Sequence, residues 1–242
     1  MQRFFFDDEI ITDGKFTVTG EKHNHIVKVL RMSVGEKAVF CDGQKIDFEC
    51  ELLSCDKNSA EFSVLSEYPN TTEPDVEITV FQCLPKGEKM DEMVKRCVQF
   101  GVFSVVPVLS RRCVARPDKK GLVKKVERLN KIARSSAMQS MRGIIPEVLD
   151  AVDYSAALKM MKSFDCAYVC YEDEHGLVIN KNALTGKKIA ILVGPEGGID
   201  ESEVMLAKDT GIPCISLGKR ILRTEDAAAF AIPIILSLTE NL

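Results

Sequence analysis

The segment ILVGPEGGID, residues 191–200, decides how the second half of the chain is organised. Its first three residues are bulky and aliphatic, which predicts a buried β-strand. Three glycines follow within five residues, and they predict a turn whose backbone can closely approach and bind a ligand. Asp200 and Glu203 have the spacing of a capping box, so a helix is expected to begin there. The turn lacks the Gly-Lys-Ser/Thr ending of a Walker loop and the glycine spacing of a dinucleotide-binding loop.

Strands and helices alternate in the same way from residue 75 to residue 242. The predicted strands are Val76–Leu84, Phe103–Leu109, Cys166–Tyr171, Lys188–Val193 and Pro213–Leu217. The predicted helices are Met90–Val98, the basic Lys119–Arg134, Tyr154–Met161, Asp200–Lys208 and Thr224–Leu238. This alternation is typical of an α/β domain with a mainly parallel sheet, in which ligands bind beyond the carboxyl ends of the strands.

Residues 1–70 have a different pattern, with short β-prone runs and one helical stretch, His25–Leu30. The β-prone runs are Phe4–Phe6, Phe16–Thr19, Lys37–Cys41, Ile46–Leu53 and Ala60–Leu65. Five short strands with turn residues between them favour a small barrel. The polar, proline-bracketed segment 69–74 is the predicted linker, so we expect two domains, residues 1–70 and 75–242.

Composition excludes several classes of protein. The chain has 242 residues, 45% hydrophobic and 28% charged, which is typical of a globular protein. No apolar stretch has the length of a membrane span, and the N-terminal apolar run is too short for a signal peptide, so we expect a soluble cytoplasmic protein. The nine cysteines form no C-x-x-C pair, and the only histidines are His23, His25 and His175. We therefore expect no metal site and interpret the cysteines as buried apolar residues.

The net charge of −4 conceals a basic segment. Residues 84–142 contain 15 Lys or Arg and 5 Asp or Glu, a local charge of +10, and the rest of the chain carries −14. A concentrated basic segment in an acidic protein is typical of phosphate binding, because local potential attracts a polyanion. The solvated face of an amphipathic helix explains the same charges, and the charge pattern alone leaves both interpretations open.

A second unusual loop, ISLGKRILRTED at residues 215–226, follows the last predicted strand. Thr224 is predicted to cap a helix, and Glu225 and Asp226 would suit the positive end of its dipole. These acids are thus explained either by the helix start or by catalysis. Ile221 and Leu222 are harder to explain in an exposed loop unless they cover a flat ligand.

Motifs in three regions, at the N-terminus, in the middle and in the C-terminal loops, carry a family resemblance over essentially the whole chain. LVGPEGGID and LGKRILRTEDAAAFAI resemble the SPOUT methyltransferases of the RsmE family, which N3-methylate a uridine of 16S ribosomal RNA. MQRFFF and HNHIVKVLRMSVGE (23–36) resemble the family's PUA-like RNA-binding barrel, and ARSSAMQSMRGIIPEV (133–148) is similar to its middle motif. Two positions depart from the family pattern: Asp226 replaces a Thr, and Asn130 replaces an aromatic residue.

The resemblance implies an α/β fold, with a C-terminal SPOUT-type parallel sheet that contains a deep trefoil knot and a small N-terminal PUA-like β-barrel. It implies S-adenosylmethionine as cofactor. The residues implied to bind the cofactor come from the two loops: Gly194, Glu196, Gly198, Leu217, Gly218, Ile221, Leu222 and Thr224. Arg142 is implied to stabilise charge on the uracil carbonyls, and Glu225 is implied to accept the N3 proton.

The implied partner is 16S ribosomal RNA or the small ribosomal subunit, and the protein is implied to be a homodimer. The residues expected to contact RNA are Arg3, His23, Lys28, Arg31, Arg111, Arg112, Arg116, Gln139 and Arg223. Phe5 either stacks on a base or belongs to the barrel core, and the pattern favours the core. Two other functions stay open: a SPOUT methyltransferase that acts elsewhere, such as on a ribose 2′-O, and a non-catalytic knotted assembly factor that binds RNA.

Overall fold

The computed structural model describes residues 1–174 and 177–242, so the third histidine, His175, lies outside the described residues. The chain forms two compact units. The first unit comprises Met1–Glu73 and Ala137–Ile145, and the second comprises Pro74–Ser136 and Pro146–Leu242. This division differs from the predicted one in the segment 137–145, which was assigned to the second domain.

The first unit contains a five-stranded sheet with the order β1-β3-β4-β5-β2. Its strands are β1 (Gln2–Phe5), β2 (Lys15–Thr19), β3 (Lys37–Cys41), β4 (Ile46–Cys55) and β5 (Ser59–Pro69). Each predicted β-prone run overlaps one of them. Helix α1 (Gly20–Asn24) continues into a π-helical turn, His25–Val29, where the sequence predicted a helix.

Phenylalanine rings fill the core of the first unit. Phe16, Phe40 and Phe62 are buried, and their ring centroids lie 4.8–5.5 Å apart. Such aromatic pairs stabilise the fold by more than the burial of their apolar area alone. Phe5 is 1% exposed. It is therefore a core residue, as the pattern favoured, and its ring is not available for stacking on a base.

The second unit contains a seven-stranded sheet with the order β12-β10-β11-β6-β7-β8, and β9 also pairs with β7. All of its pairings are parallel. The strands are β6 (Glu77–Cys83), β7 (Ser104–Leu109), β8 (Glu147–Val148), β9 (Val152–Asp153), β10 (Cys166–Cys170), β11 (Lys188–Val193) and β12 (Cys214–Ile215). The helices are α2 (Lys89–Gln99), α3 (Lys119–Gln139, of which residues 119–136 belong to this unit), α4 (Tyr154–Met161), α5 (Glu201–Asp209) and α6 (Thr224–Leu238). The predicted α/β domain with a parallel sheet is confirmed.

Strand β11 occupies the middle of this sheet, and its residues 189–192 are fully buried. A continuous apolar run is expected for a parallel strand that is covered on both faces. The predicted capping box is present: Asp200 caps α5, and its backbone N–H is bound by Glu203. Eight of the nine cysteines are buried, and all nine are free thiols. No helix within the described ranges is both long and apolar enough to cross a membrane.

Candidate functional site

A cavity of about 400 Å³ lies in the second unit, beyond the carboxyl ends of β10, β11 and β12. The segments after these strands line it, namely residues 170–172, 193–196 and 216–225, together with Gly198, Ala227 and Lys89, the first residue of α2. This is the position at which parallel sheets bind ligands. Its volume lies within the range of pockets that hold molecules of cofactor size.

The two loops singled out from the sequence bound the same cavity. All eight residues expected to bind a cofactor line it: Gly194, Glu196, Gly198, Leu217, Gly218, Ile221, Leu222 and Thr224. Glu225 and Arg223 line it as well. Ile221 is 87% exposed and therefore does not pack in a core, and its expected contact with a ligand stays a prediction.

Hydrogen bonds join the two loops through Gln82 on β6. The Gln82 amide donates to Thr224 Oγ1 at 2.9 Å, and Thr224 Oγ1 donates to the Gly194 carbonyl at 2.5 Å. The prediction that Thr224 caps α6 is wrong, because Arg223 is the N-cap residue and the Thr224 hydroxyl is bound to Gly194 instead. The sequence-based interpretation missed Gln82, although an amide within an apolar strand is a usable signal.

Lys89 lies between two carboxylates of the cavity. Its Nζ is 3.0 Å from Glu196 Oε1 and 3.7 Å from Glu225 Oε2. Burial alone would raise the pKa of Glu196, but hydrogen bonds from backbone N–H groups and from Lys89 outweigh burial and lower it. The hydrogen bond to Glu196 in turn raises the pKa of Lys89. Lys89 was also missed, because a lysine at a helix start has no distinctive pattern.

The two acids at the start of α6 have different environments. Glu225 has a side chain that is 12% exposed, and its buried Oε2 forms no hydrogen bond among the described residues. Asp226, the residue that departs from the family pattern, forms an ion pair with Arg96 of α2. Glu225 thus lines the cavity beside Lys89, whereas Asp226 links two helices.

Glycine is required at two points of the loop after β11. A Cβ atom at Gly194 would lie 2.8 Å from Cγ1 of the buried Ile199. Gly198 has a φ of +69°, and a Cβ there would lie 1.9 Å from the Glu172 carboxylate, which also lines the cavity. The backbone can therefore form this wall of the cavity only without side chains at these positions.

Asn130 replaces the family's aromatic residue in a structural position. Its amide binds both backbone groups of Val148, donating to the carbonyl at 2.8 Å and accepting from the N–H at 2.9 Å. The side chain therefore extends the hydrogen bonding of the short strand β8 and is committed to the fold.

The basic loop after β7 is exposed but partly occupied by contacts within the unit. Arg112 donates to the Gly197 carbonyl at 3.1 Å and lies 3.5 Å from Asp200. Arg116 donates to the carbonyls of Ser110 and Arg111. These arginines stabilise the loop after β11 and their own loop, and their predicted RNA contacts stay predictions.

The residues of the first unit that were expected to contact RNA fall into two groups. Arg3 is 6% exposed and forms a bidentate ion pair with Asp47 at 2.9 and 2.6 Å. His23 is 3% exposed, and its Nε2 lies 3.2 Å from the Asp56 carbonyl. Burial argues against phosphate contacts by these two side chains. The second group is exposed: Lys28, Arg31 and Gln139.

Arg142 is also buried in the first unit, at 3% exposure. Its guanidinium forms two hydrogen bonds of 2.7 Å with Glu73. The residues that line the cavity within the described part of the chain all belong to the second unit. The structure therefore places Arg142 in an ion pair, and its expected contact with the uracil carbonyls stays a prediction.

Two models of protein families match this chain. A model of the RNA methyltransferase domain matches residues 72–236, and a model of the RNA methyltransferase PUA domain matches residues 18–65. With the parallel sheet and its cavity, these matches define an RNA methyltransferase that carries a PUA domain.

Individual proteins that are similar to this chain show which family of RNA methyltransferases it belongs to. The ribosomal RNA small subunit methyltransferase E of Bacillus subtilis is 34% identical over 253 residues, which cover 100% of this chain and 98% of the relative. The Neisseria gonorrhoeae protein of the same name, whose crystal structure is bound to S-adenosyl methionine, superposes with a TM-score of 0.88 at 30% identity, with 98% of each chain covered. A probable rRNA-methyltransferase from Porphyromonas gingivalis has a TM-score of 0.81 at 26% identity, with 99% of each chain covered. The chain belongs to the ribosomal RNA small subunit methyltransferase E family, and the resemblance of its motifs is confirmed.

Proposed function

We propose that this protein transfers the methyl group of S-adenosylmethionine to N3 of a uridine in 16S ribosomal RNA. The observation that carries the proposal is the cavity that the two predicted loops enclose together. The Bacillus subtilis relative is named as a small subunit ribosomal RNA methyltransferase, and the Neisseria gonorrhoeae relative binds S-adenosyl methionine. We place the protein in the cytoplasm, with ribosomal RNA.

The residues of the cavity fit this cofactor. The glycine wall formed by Gly194 and Gly198 lets the backbone approach a nucleoside, and Leu217, Ile221 and Leu222 offer apolar surface to a flat ring. The carboxylates of Glu196 and Glu225 suit a ligand with a sulfonium and an ammonium group. We assign cofactor binding to the eight loop residues expected from the sequence.

Bound S-adenosylmethionine supplies an electrophilic methyl group. The protein must position the uracil and help to remove its N3 proton, since this nitrogen is largely protonated at neutral pH. Glu225 accepts that proton in our proposal, because it lines the cavity and its buried Oε2 has no hydrogen-bond partner among the described residues. Lys89 places a cation between Glu225 and Glu196, so that the two acids face a positive charge.

Arg142 takes a positioning role in this proposal. Its guanidinium is engaged by Glu73, and the same carboxylate accepts from the Gly143 N–H at 2.7 Å. The pair fixes the segment that carries Gln139 and Met141. We propose that this segment, together with Lys28, Arg31 and the basic loop after β7, contacts the RNA.

We further propose that the second unit contains a trefoil knot. Family membership supports it. The segment after β12, which would be threaded, meets the loop after β11 at the Thr224–Gly194 hydrogen bond and then forms α6.

A homodimer is the proposed assembly. An open apolar groove lies between α2 and α6, and it includes Phe100, Phe230 and Ile234. Phe100 and Phe230 are 43% and 42% exposed. A second copy that covers this face would remove these rings from water.

The test is methylation of small ribosomal subunits that lack the modification, with the purified protein and S-adenosylmethionine labelled on its methyl group. The expected product is N3-methyluridine at one position, identified by mass spectrometry of nucleosides and RNA fragments. Naked 16S RNA serves as the parallel substrate. A label on a ribose 2′-O would establish the other enzymatic function, and RNA binding without cofactor binding or methyl transfer would favour an assembly factor.

A further inference from the structure

We infer that Gln82 is a positioning residue of the cavity, whose amide fixes the separation of the two ligand-binding loops. The choice of S-adenosylmethionine as the ligand rests on the proposed function. The inference itself comes from a hydrogen-bonded junction beneath the cavity that joins three segments distant in sequence.

The junction is formed by Gln82, Gly194 and Thr224. Gln82 is the second-to-last residue of β6 and is fully buried. Its Nε2 lies 2.9 Å from Thr224 Oγ1, 3.3 Å from the Gly194 carbonyl and 3.0 Å from the Cys83 carbonyl. Thr224 Oγ1 donates to the Gly194 carbonyl at 2.5 Å. One amide group therefore binds the first residue of one loop and the residue that ends the other.

The orientation of this amide is determined by its neighbours. Two of the three atoms around Nε2 are carbonyl oxygens, and the third is a hydroxyl oxygen whose proton is donated to Gly194. A reversed amide would place an oxygen against these acceptors. The observed orientation leaves Gln82 Oε1 buried and without a hydrogen-bond partner among the described residues.

A buried amide oxygen without a partner is destabilising. An apolar side chain of similar length would avoid that penalty in this strand, which otherwise has residues such as Val80 and Phe81. The glutamine therefore sacrifices stability to keep its amide nitrogen at the junction, and such exceptions in a native core require an explanation.

The explanation is the position of its two partners. Gly194 and Thr224 both line the cavity, one on each loop. Loops are the mobile parts of an α/β site, and a displacement of about 1 Å is enough to impair a binding geometry. By holding both loops from the fully buried end of β6, Gln82 sets the width of the cavity before the ligand enters.

The same strand offers a matched control. Thr79 Oγ1 and Ser104 Oγ form a buried hydrogen bond of 2.8 Å between β6 and β7. Neither residue lines the cavity. Thr79→Val thus removes a buried hydrogen bond from β6 without disturbing the two loops, and Gln82→Met removes the amide at nearly constant length.

The experiment is isothermal titration of the full-length variants with S-adenosylmethionine, combined with thermal unfolding. Gln82→Met is expected to weaken affinity roughly five- to tenfold, and Thr79→Val is expected to leave it unchanged within error. In methylation assays, Gln82→Met should raise the KM for S-adenosylmethionine and leave the rate at saturation nearly constant. A residue with a purely structural role would change the unfolding temperature alone.

A double-mutant cycle provides the second test. Thr224→Val breaks the same junction from the other side, so the losses in affinity from Gln82→Met and Thr224→Val are expected to be smaller in combination than their sum. Wild-type affinity in Gln82→Met, or strictly additive losses, would overturn the inference while the proposed function stands. Failure of the wild-type protein to bind S-adenosylmethionine would overturn both.

Discussion

Arg142 and Glu73 lie 69 residues apart and form a buried bidentate ion pair, with 2.7 Å between each nitrogen and its oxygen. Both side chains are 3% exposed. The pair ties the segment 137–145 into the first unit. Within that segment Met141 has a φ of +62°, and its carbonyl accepts from Thr72 Oγ1 at 2.9 Å. Such a strained residue persists only where its surroundings hold it.

Replacement of Arg142 tests whether the Arg142–Glu73 pair supports methyl transfer by stabilising the first unit. Arg142→Ala is expected to lower the free energy of unfolding by about 3–5 kcal/mol, because Glu73 is left buried without its cation. Methyl transfer should be lost, whereas binding of S-adenosylmethionine should be retained, since the cavity residues belong to the second unit. Urea unfolding, calorimetry and a single-turnover methylation assay measure the three quantities.

The double variant Arg142→Met with Glu73→Met distinguishes the two roles of Arg142. Two apolar side chains of similar volume can replace a buried ion pair without loss of stability. We expect stability and methyl transfer to return together and in large part, since only the hydrogen bond from the Gly143 N–H to Glu73 is still lost. A stable but inactive double variant would instead assign Arg142 to direct stabilisation of the substrate.

Much of the fold could be predicted because its signals are local. The apolar run before Gly194 and the Asp200–Glu203 spacing specify a strand and a capped helix within a dozen residues. The two loops could be expected to meet, since the carboxyl ends of parallel strands lie at the same edge of a sheet. The cavity confirms that expectation.

The remaining features depend on contacts between distant residues. The segment 137–145 joins the first unit through pairs such as Arg142–Glu73. The periodicity of the sequence does not predict such pairs. Thr224 has the pattern of a helix cap, but its hydroxyl binds Gly194, thirty residues away. Gln82 and Lys89 acquire their roles only from the partners that the fold brings to them.

Gly198 tests the glycine wall of the cavity. Gly198→Ala places a methyl group at the position of the Glu172 carboxylate, which must move, and affinity for S-adenosylmethionine should fall about tenfold or more. Gly211→Ala is the matched control. It has a similar φ of +81°, and a Cβ there meets no atom of the described residues within 4 Å. Both variants should lose about 1 kcal/mol of stability from backbone strain. Equal cofactor affinities in the two variants would contradict the assigned wall.

Lys89 tests the charge arrangement of the cavity. Lys89→Met removes the hydrogen-bonded cation that helps to lower the pKa of Glu196, so that pKa should rise. The ordinary pKa of a glutamate is 4.5, so Glu196 of the wild type stays ionised below pH 4.5, whereas Glu196 of the variant should protonate at a higher pH. Cofactor affinity, measured by titration between about pH 4 and 7, should therefore begin to fall at a higher pH in the variant than in the wild type. Lys95 is an exposed position on the same helix, and Lys95→Met should leave the pH at which affinity falls unchanged.

Asp47 links the stability of the first unit to pH. Burial would raise its pKa, but hydrogen bonds from Arg3 and Asn70 outweigh burial and lower it below 3.8. A lowered pKa contributes stability that is present above the unfolded value and is lost as the pH falls through the folded value. Urea unfolding of the wild type should therefore weaken below about pH 4. Asp47→Asn should be less stable at pH 7 and should show a shallower decline in acid. A decline identical to that of the wild type would remove Asp47 from this linkage.

Phe230 tests the proposed homodimer. Phe230→Asp places a charge in the apolar groove between α2 and α6, and this should convert the protein to a monomer, because an unpaired charge is costly in a buried interface. Met205→Asp, on α5 at 65% exposure, controls for the loss of an exposed apolar residue and should remain dimeric. Sedimentation equilibrium at micromolar concentration measures the oligomeric state of both variants.

Methyl transfer should fall in Phe230→Asp if the site includes residues of the partner. Thermal unfolding establishes that the monomer is folded. A wild-type protein that sediments as a monomer, or a Phe230→Asp variant that remains a dimer, would show that this face is not the interface.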